Sequence, residues 1–455
     1  MEQVEYRILP RHEINSIDDY LSIGGFQALR KALSMSPEEI IKEIKCSGLR
    51  GRGGAGFPTG LKWENIYNDP IPKKYLCCNA AEGEPGTFKD RYIIRKNPYQ
   101  VIEGIAIAAY TIGAARSYIG IKVIFEQEIR RLEAALRECE ERGFIGNRVI
   151  GRSVDIPVEI KVGPNNYLFG EETALMRVIE GGPCMPRMKP GFVVGLGNGL
   201  KMVPEDDMYV DGVPTLLNNL ESFANIPHII SNGADWFYGI GTEKSPGTMV
   251  FTLNGDIKRP GMYELPMGTR LSTLINEIGG GAINGSIKAV LPGGPSNRIL
   301  TGSELEIGLD FESMKEADSG IGSGCVIAYD ESACMVKLAL TFSIFFMKGS
   351  CCQCAMCSTG TQRLTELLAF IEYGRGGEAD ITELWSWIPQ MMKKDAGRCY
   401  LVAAQPIVVS SIMQKFPEEF VAHIERGVCE LPRELPSFKL LDFTEKTREF
   451  TMELL

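Results

Sequence analysis

Apolar positions near the start of the chain recur at helical intervals. Phe26, Leu29 and Leu33 share one face, and Ile40, Ile41 and Ile44 share another. Ser36-Pro37-Glu38-Glu39 precedes the second set as a capping box with proline in the first turn, so a helix is expected there. It leads into a glycine-rich stretch over 47–63, where Gly51, Gly53 and Gly56 are spaced G-x-G-x-x-G. From Tyr75 the pattern alternates between β and α. Strands are predicted over 75–79, 117–123 and 154–162, and helices over 98–114 and 127–142. Gly170-Glu171-Glu172-Thr173 then opens a helix through Ile179. This order predicts a doubly wound α/β sheet whose strand-end loops gather on one edge.

The pattern changes after Met249. Short apolar strands, Asn254-Gly255 and Pro260-Gly261 turns, a short helix over 271–278 and a glycine run at 279–281 predict a small α+β module to about residue 330. It shows no catalytic group, so a structural or docking role is expected. Helical periods return from Ser332. Leu364, Leu367, Leu368 and Ile371 mark one helix, Leu384, Ile388, Met391 and Met392 a second, and 407–416 a third. A small bundle is expected, with a polar, extended tail after Pro432. Three domains follow: 1–240, 241–330 and 331–455.

At 455 residues, 44% hydrophobic and 23% charged, the chain can build real cores. Its net charge of −10 argues against nucleic acid as a partner. The N-terminus lacks a basic, apolar leader, and the longest apolar run, 338–347, falls short of the ~20 residues a membrane span needs. A cytoplasmic chain is expected, able to dock on a membrane complex. Thirteen cysteines are many for such a chain, and four lie between Cys351 and Cys357. That bunching argues for metal rather than disulfides.

The glycine stretch can bring bare N–H groups to a phosphate. With Arg50, Arg52 and Lys62 beside it, a flat phosphorylated cofactor is one reading. A plain surface loop is the other, because a helix rather than a strand precedes the glycines. Asn79 ends the first strand, and Glu82 and Glu84 follow it. Tyr167, Glu171 and Glu172 follow the third strand, where the carboxylates either cap the helix or line a pocket. Residues 186–192 form a rigid, basic segment holding Lys189 and ending in Phe192, an aromatic that either stacks on a base or fills a core. Asn218 and Asn219 form a third polar pair. Cys351, Cys354 and Cys357 are spaced C-x-x-C-x-x-C, and Cys399 follows at a distance. Three thiolates on a loop entering a helix, with a remote fourth, suit a [4Fe–4S] cluster, whereas zinc prefers two separated pairs. Cys352 reads as turned away, although spacing leaves an exchange with Cys351 open. A phosphate loop together with a one-electron cluster implies electron transfer, and flavin is the cofactor that joins two-electron to one-electron carriers.

Taken in order, these motifs resemble the NADH-binding flavoprotein subunits of respiratory complex I, NAD-linked hydrogenases, formate dehydrogenases and bifurcating oxidoreductases. The resemblance runs from about residue 40 to 430. It implies a Rossmann-like FMN domain, a ubiquitin-like β-grasp (soluble-ligand-binding) module and a helical bundle carrying the cluster. By motif match, Gly51, Arg52, Gly53, Lys62, Asn79, Asn218 and Asn219 would hold FMN. Tyr167, Gly170 and Glu171 would line the nicotinamide side. Phe57 and Phe192 would stack on the adenine. Glu172 would sit near the adenosine ribose and disfavour a 2′-phosphate, hence NADH over NADPH. Cys351, Cys354, Cys357 and Cys399 would be the cluster ligands. The function implied is hydride transfer between NADH and FMN, then single electrons to the cluster and on to partners. Those partners would be a thioredoxin-like two-iron subunit and a ferredoxin-type, hydrogenase or reductase subunit. Ala81 stands where the family has an acid, and Asn65 where it often has an aromatic. These departures motivate an alternative, a non-catalytic electron-wiring or scaffold subunit with a decayed flavin site. Ala81 and the lack of added cluster domains point to an anaerobic, non-respiratory complex.

Overall fold

The computed structural model describes residues 8–187, 212–393, 397–427, 429–431, 433–436 and 439–453. Two compact units divide the chain: Met1–Glu82, Lys89–Val250 and Glu264–Met267 form the first, and Gly83–Phe88, Phe251–Tyr263 and Gly268–Leu455 the second.

In the first unit two short helices, α1 (Ile17–Ser22) and α2 (Gln27–Ala32), precede α3 (Pro37–Cys46). The capping box forms: Ser36 Oγ accepts from Glu39 N, and the Glu39 carboxylate accepts from Ser36 N at 2.7 Å. Ile40, Ile41 and Ile44 are buried, as their spacing predicts. After the glycine loop comes α4 (Thr59–Tyr67). The alternating section then reads β1 (Lys74–Ala80), α5 (Lys89–Lys96), α6 (Pro98–Ile112), β2 (Ala114–Lys122), α7 (Glu126–Glu141), β3 (Val158–Gly163), α8 (Glu172–Ile179), β4 (Thr215–Asn219), α9 (Leu220–Asn232) and α10 (Ala234–Tyr238).

The sheet order is β3-β2-β1-β4, parallel throughout. From β1 the chain steps outward to β2 and β3, then returns to lay β4 on the other flank of β1. The strand order therefore reverses between β1 and β4, and open α/β sheets bind ligands beyond the C-terminal ends at such a reversal. β1 is buried on both faces, which explains its unbroken apolar run Leu76-Cys77-Cys78. Gly104 lets α6 touch α9, since a Cβ there would lie 2.0 Å from the Phe223 carbonyl oxygen. β4 and α9 are absent from the sequence reading. Leu216 and Leu217 are too few to display a period, yet Asn219 caps α9 by accepting from Glu221 N at 3.0 Å.

A second sheet has the order β6 (Gly261–Pro266), β5 (Thr248–Gly255), β9 (Cys325–Asp330), β7 (Ile287–Leu291), β8 (Leu300–Thr301). β9 runs parallel to β5 and antiparallel to β7. The short helix expected over 271–278 is a π-type turn, Thr273–Ile278, and α11 (Phe311–Glu316) is capped by Asp310. The bundle comprises α12 (Met335–Gly349), α13 (Ala355–Glu372), α14 (Glu378–Met391), α15 (Leu401–Lys415) and α16 (Pro417–Arg426). Gln405 ties it internally, donating to Ser343 Oγ at 2.7 Å and to the Thr361 carbonyl at 3.0 Å. The tail is not a lone extension. It folds into a hairpin of β10 (Leu440–Thr444) and β11 (Glu449–Met452), with the rings of Phe443 and Phe450 4.6 Å apart. Among the described residues no helix is long and apolar enough to cross a membrane.

Candidate functional site

Asn79 and Asn219 are register partners at the ends of β1 and β4, the place where the strand order reverses. Asn79 Nδ2 donates to the Gly170 carbonyl at 2.9 Å, and its Oδ1 accepts from Ala81 N at 3.0 Å. Asn219 Nδ2 donates to Asp90 Oδ2 at 2.7 Å. Asn218 Oδ1 accepts from the buried Trp63 indole at 3.3 Å. Ala81, the departure that motivates the scaffold reading, keeps its backbone in this frame. Asn65, the other departure, is exposed on α4.

The glycine loop lies directly on this strand end. Gly51 N donates to Phe57 O and Thr59 N to Leu49 O, both at 2.9 Å, closing the loop just before α4 begins. Gly54 and Gly56 take φ of +125° and +62°, a region that strains side-chain-bearing residues. A Cβ on Gly53 would stand 2.9 Å from Asn219 Cβ, so the loop reaches the strand end only because that atom is missing. A bare backbone turn at a helix N-terminus is the cradle a phosphate needs. The residues present fit FMN on that ground.

The arginines serve the loop through its frame. Arg52 is fully buried, and its guanidinium donates to the carbonyls of Pro246 at 2.7 Å and Thr248 at 3.1 Å. Burial pulls it down to about 10, against the pull of Glu221. Arg50 Nε donates to the Gly56 carbonyl at 2.8 Å. Lys62 is the cation beside the loop, and its Nζ lies 2.9 Å from Glu172 Oε1. Phe57 is exposed at the loop's tip.

The third strand-end segment is held from below. Phe169 is fully buried under Gly163, where a Cβ would lie 2.2 Å from the ring. Tyr167–Gly170 forms a short 3-10 turn above it, with Tyr167 half-buried. Glu171 caps α8, accepting from Ala174 N at 2.8 Å and Thr173 Oγ1 at 2.7 Å. The capping reading therefore holds for Glu171, whereas Glu172 reaches across to Lys62. Lys189 and Phe192 lie outside the described residues.

Sequence reasoning misses a buried ion cluster under the site. Lys89 Nζ lies 2.6 Å from Asp90 Oδ1, 2.9 Å from Glu221 Oε2 and 3.0 Å from Asn219 Oδ1. Burial pushes Asp90 up to about 6, with Lys89 opposing. Burial works against the Lys89 charge, but Asp90 and Glu221 outweigh it and hold the ammonium above its usual range. Glu82 accepts from Asp90 N at 2.9 Å and Arg91 Nε at 2.7 Å. Lys89 and Asp90 belong to no sequence motif, and only the return of β4 and α9 brings Glu221 to them. Glu84 belongs to the second unit, where its carboxylate accepts from Ser296 N at 2.9 Å.

In the second unit the turn between α12 and α13 carries the cysteine motif. Cys354 is the residue before α13, and Cys357 is buried in its first turn. Each sulfur has a donor. Gln353 Nε2 reaches Cys351 Sγ, Arg398 N reaches Cys354 Sγ, and the Ser350 hydroxyl reaches Cys357 Sγ, all at 3.3 Å. Arg398 thus brings the half-buried Cys399 segment against Cys354. Cys352 is exposed, and its φ of +59° turns the chain between its neighbours. Sulfurs in hydrogen-bond contact with N–H and hydroxyl groups of polar loops fit a thiolate-held cluster.

Residues 44–228 match the Nuo51 FMN-binding domain, 250–300 the SLBB domain, and 337–423 the NADH-ubiquinone oxidoreductase-F iron-sulfur binding region. The chain is 42% identical over 417 residues to an NADH-quinone oxidoreductase subunit of Rhizobium meliloti (strain 1021), covering 91% of this chain and 95% of that one. It is 41% identical over 433 residues to NADP-reducing hydrogenase subunit HndC of Solidesulfovibrio fructosivorans, covering 94% and 85%. Among solved structures it is similar to an NAD+-reducing [NiFe]-hydrogenase in the H2-reduced state, with a TM-score of 0.76 and 29% identity over 91% of this chain and 67% of that one. The α/β flavin-type fold, the β-grasp module and the cluster-bearing helical region expected from the sequence are all matched.

Proposed function

The chain belongs to the family of NADH-quinone oxidoreductase subunits that carry the Nuo51 FMN-binding domain, and on that premise we propose that it is the NADH-oxidising flavoprotein subunit of a multi-subunit redox complex. FMN would be held at the C-terminal ends of β1 and β4, and a [4Fe–4S] cluster by Cys351, Cys354, Cys357 and Cys399. When bound, FMN supplies the conversion between two-electron and one-electron transfer, and the cluster supplies the one-electron outlet. The observation that carries the reading is the seating of Gly53 against Asn219, which brings a bare backbone turn to the strand reversal.

The chain's own residues bind and orient. Gly51 closes the loop through its bond to the Phe57 carbonyl, and Gly53 with the first turn of α4 past Thr59 presents N–H groups to the phosphate, with Lys62 supplying charge. Asn79, Asn218 and Asn219 hold the ring system with amide groups whose frame is already hydrogen-bonded. Gly170 and Glu171 form a fixed wall for the nicotinamide, with Tyr167 beside them. Such pre-organisation replaces acid–base catalysis, because hydride transfer depends on alignment. Phe57 and Phe192 serve the adenine, and Glu172 opposes a 2′-phosphate. Partner subunits with their own iron–sulfur centres take the electrons onward, and the complex operates in the cytoplasm or at a membrane's cytoplasmic face.

Purified without oxygen, the chain is expected to contain FMN and about four iron atoms. It should reduce an artificial dye with NADH. A flavin-loaded chain that cannot do so overturns the reading.

A further inference from the structure

The second unit holds another set of metal-ligating side chains, built from none of the cysteines assigned to the cluster. Cys334 caps the start of α12, Glu372 ends α13, His423 lies in the last turn of α16, and Cys429 follows that helix. Their ligand atoms all lie within 4.8 Å of one another. Cys334 Sγ is 3.5 Å from His423 Nε2, His423 Nε2 is 3.4 Å from Glu372 Oε2, and Cys334 Sγ is 3.9 Å from Glu372 Oε2. A tetrahedral ion with bonds of about 2.0–2.3 Å has ligand–ligand edges of roughly 3.3–3.8 Å. The separations among Cys334, His423 and Glu372 are close to that size, and the 4.8 Å bound on all four atoms is too tight for the corners of a cubane.

The surroundings suit a metal. Cys334 is 1% exposed, His423 5% and Glu372 6%. Burying a thiol, an imidazole and a carboxylate together, with the half-buried Cys429 beside them, carries a desolvation cost that a shared dication offsets. His423 Nδ1 lies 2.7 Å from the Glu419 carbonyl oxygen, which fixes the ring and aims Nε2 inward. That is the outer contact metal-bound histidines make. Lys337 N faces Cys334 Sγ at 3.4 Å, and Lys337 Nζ faces Glu372 Oε1 at 3.7 Å, leaving Oε2 for the ion. Two thiolates and a carboxylate around a dication leave one net negative charge, which Lys337 offsets.

We propose that Cys334, His423 and Cys429, with Glu372 in the fourth corner, bind a single zinc ion separate from the iron–sulfur cluster. Sulfur–nitrogen donors in a closed tetrahedral set favour zinc, and a site without an open position is structural. The ion would pin the start of α12, the end of α13 and the chain after α16. The cluster turn lies between α12 and α13, so the zinc fixes both supports of that turn.

The test is elemental analysis and zinc X-ray absorption on the full chain, purified without oxygen and washed with chelator. About one zinc beside about four irons is expected, with two sulfur and two nitrogen or oxygen neighbours. His423→Gln and Cys429→Ser should each lose the zinc while retaining FMN and NADH-dependent dye reduction. Zinc kept at full occupancy in both variants would overturn the proposal. So would a wild-type chain with its full iron, no zinc, and Cys334 and Cys429 either joined as a disulfide or both free to react with a thiol reagent. The wild-type spectrum decides the matter even where a variant fails to fold.

Discussion

Lys62 Nζ and Glu172 Oε1 stand 2.9 Å apart, joining the helix after the glycine loop to the helix after the third strand. Both side chains keep partial solvent access, 20% and 27%, so the pair is available to a ligand rather than locked in a core. In the proposed site Lys62 serves the flavin phosphate side and Glu172 the adenosine side. Their pairing gives the carboxylate a fixed place from which to repel a 2′-phosphate. Glu172→Gln is therefore expected to raise kcat/KM for NADPH about tenfold relative to NADH, the scale of one removed like-charge contact. Steady-state dye reduction with both nucleotides measures it. An unchanged NADPH/NADH ratio would remove Glu172 from the specificity role. The contrast between nucleotides matters because one relative bears the name of an NADP-reducing hydrogenase subunit.

Gly53→Ala tests the seating of the loop. The added Cβ would meet Asn219 Cβ at 2.9 Å, so the loop or the strand end must move. Overpacking of this kind costs about 1–3 kcal/mol, and FMN affinity is expected to fall roughly 10- to 100-fold. Flavin fluorescence titration of the apoprotein reads it directly. Gly51→Ala is the control, because its nearest foreign atom is 3.6 Å away. Equal flavin affinity in both variants would count against the cradle.

These two sites differ in how far they could be read from the chain alone. The glycine spacing, Asn79 and the cysteine motif are legible because each is a local pattern whose chemistry depends on residues close in sequence. Lys89, Asp90 and Glu221 are not legible. Lys89 and Asp90 are adjacent charges with no motif around them, and Glu221 joins them only when β4 lies beside β1. The strand β4 itself is hidden because its apolar part is two residues long. Arg52 shows the converse. Its place beside the glycines suggests a phosphate contact, but burial commits its guanidinium to the Pro246 and Thr248 carbonyls. The tail hairpin is hidden because its strands are only five and four residues long, too short for Leu440 and Phe443 to display a period.

The cysteine assignments separate cleanly by exposure. Cys351 and Cys357 have hydrogen-bond partners within the turn and Cys354 accepts from Arg398 N, while Cys352 is exposed at φ +59°. Serine at 351, 354, 357 or 399 should abolish or degrade the cluster, dropping iron below about four per chain. Cys352→Ser should retain the full complement and the reduced cluster's paramagnetic signal. Iron loss in Cys352→Ser with retention in Cys351→Ser would exchange the two ligands.

Removing the cation from the buried ion cluster should strongly destabilise the first unit. Lys89 and Glu221 are wholly buried and Asp90 nearly so, at 0%, 0% and 4% side-chain exposure. Lys89→Met keeps the volume of the side chain but leaves two carboxylates facing each other without their cation. Removing one partner of a buried ion pair costs about 3–5 kcal/mol, far more than the pair's net contribution, because the remaining charge stays desolvated. The surface pair Lys45–Glu64, at 42% and 33% exposure, provides the contrast. Lys45→Met should cost less than about 1 kcal/mol. Urea unfolding of both variants, monitored at the buried Trp63, compares the two. A Lys89→Met midpoint no lower than that of Lys45→Met would mean the acids in the variant take up protons and relax without cost. In that case Asp90, already raised to about 6 by burial, is the group that takes up the proton.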